Sequence, residues 1–154
     1  MKAWRITQRK HTKTAFSGEG ARLYGGRWNS PGVPMVYVAQ SQSLAVLEVL
    51  VHLDAPALLA KYVFIEVDFD PSLVIELDRS LLPKNWKADP VPRAVQTVGD
   101  RWASSGGSVV LRVPSALASE ESNFLLNPLH PAFGKILVSR PQTFSFDSRL
   151  VRRR

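Results

Sequence analysis

The 154-residue chain contains no cysteine, which removes disulfide bonds, thiolate zinc sites and cysteine nucleophiles from consideration. It also lacks any uninterrupted apolar run of membrane-spanning length, so no membrane role is expected. The opening residues Met1-Lys2-Ala3-Trp4-Arg5-Ile6 have no apolar signal-peptide core, and the expected address is cytoplasmic. Three histidines, His11, His52 and His130, show no HExxH or other close ligand spacing, and no metal site is expected. A Gly-x-Ser-x-Gly elbow, a Walker loop and a GxGxxG fingerprint are all missing, which argues against a Ser-His-Asp hydrolase and the common nucleotide-binding motifs. Internal repeats, linkers and low-complexity segments are absent as well.

Acidic residues are scarce at the two ends. Residues 1–28 hold seven basic side chains and a single acidic one, Glu19; Arg149, Arg152, Arg153 and Arg154 add to the field, within a net charge of +7. Such a field suits an anionic partner, whether nucleic acid, a phosphorylated small molecule or an acidic protein. Choosing among them requires a site. The hydrophobic fraction of 45% and charged fraction of 21% are ordinary for a globular protein, and the length suits one domain spanning residues 1–154.

The stretch Gly20 to Leu53 organises the rest. Gly25-Gly26-Arg27-Trp28-Asn29 is a glycine-preceded basic and aromatic corner, at which backbone amides and an Arg fork can approach phosphate oxygens. A decorated hairpin turn fits the same residues. Val33 to Ala39 has strand composition, and Ser41 to Leu53 is long enough, and free enough of Gly and Pro, to form a helix capped by Ser41 or Ser43. Apolar residues on most of that helix's circumference predict burial on more than one side. Inside the run sits one carboxylate, Glu48. It either faces water, finds a partner, or is held in a dry setting useful to chemistry.

Along the remaining chain, Met1 to Thr7 reads as a strand with Arg5 opposite Trp4 and Ile6, and Gln8 to Gly20 as a loop. Asp54-Ala55-Pro56 marks a helix stop. Lys61 to Phe69 and Leu73 to Leu77 read as strands, and Asp89 to Ala103 as a helix with Asp89 at its N-cap and Ser104 to Gly107 at its end. Ser108 to Pro114 reads as a buried strand that delivers Ser115 to a loop. Phe133 to Ser139 reads as a last strand, and Phe144 to Leu150 as a segment able to pair with an edge. Strands too close for βαβ crossovers argue an α+β class.

Five segments, Gly20-Ala21-Arg22-Leu23-Tyr24-Gly25-Gly26-Arg27-Trp28-Asn29, Val36-Tyr37, Leu44 to Leu53, Val113-Pro114-Ser115-Ala116 and Asn123 to Pro131, together resemble the RES domain. That family is named for an arginine, a glutamate and a serine, and it supplies the toxin of bacterial RES-Xre toxin-antitoxin pairs. The resemblance covers nearly the whole chain, in order, and no segment departs from the pattern.

It implies a single compact domain with an ADP-ribosyltransferase-like fold of mixed and antiparallel sheets and flanking helices. It also implies an NAD-degrading enzyme that depletes cellular NAD by cleaving the nicotinamide-ribose bond through hydrolysis or phosphorolysis, with NAD as substrate and no prosthetic group. The named residues fall on Arg27, Glu48 and Ser115. Tyr37 matches the family's strand tyrosine, and Arg5 lies in its opening strand. Glu48, Arg27, Tyr37 and Ser115 are then the catalytic candidates. Arg5, Arg27, Tyr37, Ser115 and Asn123 are the NAD-binding candidates; neither Asn123 nor His130 receives an individual role. The implied partner is an Xre-type helix-turn-helix antitoxin, with DNA reached only through it; a homodimer is compatible with the pattern. The alternatives are an ADP-ribosyltransferase acting on a protein target and a non-enzymatic basic module binding nucleic acid or protein.

Overall fold

A computed structural model describes residues 1–52 and 61–151. The expected stop at Asp54-Ala55-Pro56, the last residue of the helix expected to Leu53 and the basic residues Arg152 to Arg154 lie outside the described residues. Strands β1 (Lys2–Gln8), β2 (Val36–Ala39), β3 (Tyr62–Asp68), β4 (Val74–Glu76), β5 (Val110–Pro114), β6 (Ser122–Leu126), β7 (Leu137–Val138) and β8 (Gln142–Phe144) form one sheet in the order β4-β5-β6-β2-β1-β3-β7, with β8 also on β3. The β4–β5 pair is parallel, and the other pairs are antiparallel. Helices α1 (Glu19–Tyr24), α2 (Gln42–Leu50) and α3 (Arg93–Ser105) flank it. The result is a mixed α/β domain, as the sequence led us to expect.

Alternation along the strands assigns the faces. On β6, Phe124 and Leu126 join Ala3, Val36, Val38, Val67 and Val110 on one side of the sheet, while Leu125 turns to the other. There α3 buries Val95 and Trp102 against Leu111, Val113, Leu125 and Trp28. Helix α2 lays Leu44 and Ala45 over Ile6, Ala39 and Tyr62. Its opposite side is open, with Leu47 and Val51 43% and 55% exposed, so the expected burial on more than one side does not occur. A single packed face suffices for a helix lying on a sheet edge-on to water, and the apolar residues beyond it remain in contact with solvent.

One discontinuity governs the architecture. Strands β1 and β3 are paired over seven successive residues, from Lys2↔Asp68 to Gln8↔Tyr62, whereas β1 and β2 share the single registered pair Trp4↔Ala39. The ladder opens beyond that pair, and the gap becomes a cleft. Arg5 spans it, donating Nη1 to the Tyr37 carbonyl at 2.7 Å.

Several expectations shift in detail. The loop expected over Gln8 to Gly20 contains a 3-10 helix, Arg9–Thr14, and helix α1 follows between the positive-φ glycines Gly18 and Gly25. Helix α3 begins after Pro92 rather than at Asp89, because a residue preceding proline is driven out of the α-region and Val91 precedes Pro92. Strand β6 was not foreseen as a strand at all. The expected strand over Phe133 to Ser139 is a 3-10 helix, Pro131–Lys135, followed by the two-residue β7; Gln142–Phe144, rather than Phe144 to Leu150, pairs with β3.

Candidate active site

The cleft has a volume of about 790 Å³ and is lined by parts of β1, α1, the Gly25–Trp28 corner, β2, α2 and the segments around Lys87 and Ala116. Glu48 enters it from α2, where Ser41 caps the helix by accepting from Leu44 N at 3.0 Å. The carboxylate is held in place. Asn123 Nδ2 donates to Glu48 Oε1 at 2.6 Å, and Ser115 Oγ donates to the same oxygen at 3.3 Å. Asn123 stands on central strand β6, in register with Ala39 and Val113 on its two neighbours, so its amide is mounted rigidly. Ser115 follows β5 directly, and its Oγ accepts from the amides of Leu117 and Ala118, both at 3.1 Å. Those two amides orient the hydroxyl so that its proton is directed at Glu48.

Ser115 is fully buried and does not reach the cleft surface. Ser115 was expected to bond to nicotinamide, ribose or a side chain of the site, and its hydroxyl bonds to the Glu48 side chain. Asn123, which had no assigned role, supplies the stronger of the two bonds and also lines the cleft.

Two guanidinium groups also line the cleft. Arg5, donating to the Tyr37 carbonyl, has a buried Nε with no hydrogen-bond partner, and burial pulls its pKa down to about 10. It stays charged at neutral pH. Arg27 extends from the glycine corner and donates Nη1 to the carbonyls of Trp86 and Ala88 at 2.8 and 3.2 Å. Among the described residues neither arginine forms an ion pair. Two cations in a recess without a carboxylate partner make it attractive to an anion. Lys87 adds a third charge at the wall, with Nζ 3.1 Å from Ser119 Oγ and 5.3 Å from the centre of the Trp86 ring.

Tyr37 is among the cleft residues, but its hydroxyl is committed elsewhere. It donates to Asn29 Oδ1 at 2.6 Å and accepts from Trp28 N at 3.1 Å, and burial raises its pKa well above the usual phenol range. It therefore remains a neutral donor and no base. Asn29, which the sequence did not single out, is the centre of this corner: fully buried, it donates Nδ2 to the carbonyls of Ala21, Ser30 and Val33. An Asn directly after a Gly-Gly-Arg-Trp run was the available clue. His130 caps the Pro131–Lys135 turn, accepting from Ala132 N at 3.0 Å, and is not among the cleft residues. His52 lines the cleft at its exposed rim.

A family model described as the RES domain matches residues 2–147. The chain belongs to the RES domain family. This RES domain is 39% identical over 151 residues to a protein named Toxin Res from Yersinia enterocolitica, covering 97% of this chain and 99% of that one. It is 36% identical over 155 residues to the Prs ADP-ribosylating toxin of a Sphingobium species, covering 97% and 96%. Among solved structures, the MbcT-MbcA toxin-antitoxin complex of Mycobacterium tuberculosis contains a chain with the same fold, at a TM-score of 0.75 and 22% identity over 94% of this RES domain and 84% of that chain. MbcT of that organism, named an NAD(+) phosphorylase, is 44% identical over a stretch of 50 residues, which is 30% of this chain and 27% of that one. Arg27 and Glu48 line the same cleft, and Ser115 lies buried behind it, bonded to Glu48.

Proposed function

We propose that this protein is a toxin that binds NAD in the cleft and breaks its nicotinamide-ribose bond, removing NAD from the cell. The observation that carries the reading is Glu48, fixed by Asn123 and Ser115, in the same cleft as Arg5 and Arg27, neither of which forms an ion pair among the described residues. The names of the Sphingobium and mycobacterial relatives support the same substrate, since ADP-ribosylation and NAD phosphorolysis both begin by breaking this bond.

In that reaction the C–N bond electrons leave with nicotinamide, neutralising its pyridinium nitrogen, and positive charge appears on the ribose. An oriented carboxylate in a partly dry recess stabilises that charge better than mobile water, because it needs no reorganisation as the charge develops. The oxygen of the acceptor then bonds to the anomeric carbon, and Glu48 is placed to take up its proton when the acceptor is water. Arg5 and Arg27 hold the pyrophosphate, and the Tyr37 ring offers a face to nicotinamide. Asn123 and Ser115 prevent Glu48 from rotating away.

The acceptor divides this reading into water, inorganic phosphate and a protein side chain, with the first two favoured. Purified protein incubated with NAD should release nicotinamide, yielding ADP-ribose when water is the acceptor and ADP-ribose 1″-phosphate when phosphate is present and is the acceptor. No loss of NAD with or without phosphate, together with salt-sensitive binding to RNA or DNA, would replace the enzyme with a basic binding module. The partner we propose is an antitoxin of the Xre type that closes the cleft; the basic Arg9–Thr14 turn, whose Thr14 borders the cleft, gives an acidic segment of it a place to dock.

A further inference from the structure

The cleft's glutamate and its arginine are mounted on separate elements. Glu48 belongs to α2, but the Gly25–Ser30 corner carrying Arg27 has no regular secondary structure of its own beyond one bridge, Gly26↔Asn29. Besides the Asn29 and Tyr37 contacts, its backbone is held from α3. Gln96 Nε2 donates to the Gly26 carbonyl at 3.0 Å, and Ser30 N donates to Asp100 Oδ1 at 2.9 Å. These bonds grip the chain on either side of Arg27. Between them sits Gly99, where a Cβ would lie 1.8 Å from the Trp28 carbonyl oxygen, so only glycine allows the helix to approach this closely.

Positions 96, 99 and 100 follow helical i, i+3, i+4 spacing and therefore share one face of α3, distinct from the apolar stripe through Val95 and Trp102 that enters the core. None of the three lines the cleft. Core packing accounts for Val95 and Trp102, but packing alone does not call for a polar side chain aimed at each flank of the corner.

We infer that Gln96 and Asp100 are positioning residues that hold the backbone on either side of Arg27, so that its guanidinium, resting on the Trp86 and Ala88 carbonyls, is presented to the cleft, and that they thereby set the cleft's affinity for the diphosphate of its ligand. The inference rests on the NAD reading above for the identity of that ligand. Glu48 has its own supports on β6 and after β5, so disturbing the α3 contacts should leave the bond-breaking group in place. The two halves of the site are then separable: α3 governs ground-state binding, whereas the Asn123 and Ser115 contacts govern turnover.

The test is a double-mutant cycle on the purified protein with NAD as the probe. Gln96→Ala should raise KM about fivefold with kcat changed by less than about twofold, as expected when one buried hydrogen bond supporting a binding group is lost. Asp100→Asn keeps an acceptor oxygen and should remain near the parent, whereas Asp100→Leu should behave like Gln96→Ala. In an Arg27→Ala background, Gln96→Ala should raise KM no further. Amide exchange at Trp28 gives a readout that needs no turnover, and it should accelerate in Gln96→Ala but not in Asp100→Asn. Full additivity of Gln96→Ala and Arg27→Ala, a fall in kcat instead of a rise in KM, or unchanged exchange at Trp28 would overturn the inference. A parent protein that neither binds nor consumes NAD would overturn the NAD reading, and the exchange measurement would still decide whether α3 fixes the corner.

Discussion

Glu48 is engaged through one oxygen, Oε1, by both Asn123 and Ser115, which leaves Oε2 without a protein partner among the contacts described. An oxygen so placed is available to substrate. Replacing Glu48 by Gln preserves shape and removes the charge; kcat should fall by about 100-fold or more with NAD affinity largely retained, measured by single-turnover kinetics and calorimetry. Arg27→Ala should instead weaken NAD binding by about tenfold, since a charge-assisted contact to phosphate is present in ground and transition states alike. Arg5 gives a pH signature. Burial alone depresses its pKa to about 10, so at neutral pH it is charged with or without ligand, and a bound phosphate raises that value again. NAD binding near pH 10 should therefore take up protons, and binding at pH 7 should take up none through this group. Calorimetry in buffers of differing ionisation enthalpy measures it. Equal proton uptake at the two pH values would place the phosphates away from Arg5.

At the scale of elements, long and periodic segments were legible and short ones were not. Helix α2, its Ser41 cap and the strands β1, β3 and β5 follow from pattern, since each carries its own hydrophobic periodicity and terminators. Strand β6 escaped because Ser-Asn-Phe-Leu-Leu contains no β-branched residue; it becomes a strand through pairing with β2 and β5, which is tertiary information. With β6 unseen, Asn123 could be placed near the site only by resemblance, and its bond to Glu48 had no antecedent in local sequence. The six-residue α1 was hidden by Gly20 and by bracketing glycines that read as a loop. Glu48, Arg27 and Ser115 stood out through the resemblance, since the residues alone also fit a solvated carboxylate, a hairpin turn and a turn former; the bond between Ser115 and Glu48 depends on where the end of β5 meets α2. Ser41 deserves a measurement of its own. Its hydroxyl caps α2 while donating to Glu121 Oε2. Ser41→Ala should lower stability by about 1 kcal/mol, read as a shift in urea midpoint, and should also reduce kcat by loosening the helix that carries Glu48. A stability loss with kcat untouched would separate the cap from the catalytic mount.

The whole molecule is polar in the electrical sense. Arg9, Lys10 and Lys13 lie exposed on one short turn, and among the described residues none of them forms an ion pair. If this turn receives an acidic segment of the antitoxin, Lys10→Ser with Lys13→Ser should lower affinity for it and flatten the dependence on salt, without altering NAD turnover by the free protein. Unchanged affinity and salt slope would move the docking surface elsewhere. Among the described residues no helix is long and apolar enough to cross a membrane, and no cluster of His, Asp and Glu is suited to a metal ion. The joint between β1 and β2 has a mechanical side too. The two half-sheets share the single ladder pair Trp4↔Ala39, with Arg5 as a stitch beside it, while α2 lies across the joint with Leu44 and Ala45 on Ile6 of one half and Ala39 of the other. Side-chain packing rather than a ladder therefore holds the halves together at this joint, in contrast to the seven-rung and five-rung ladders within them.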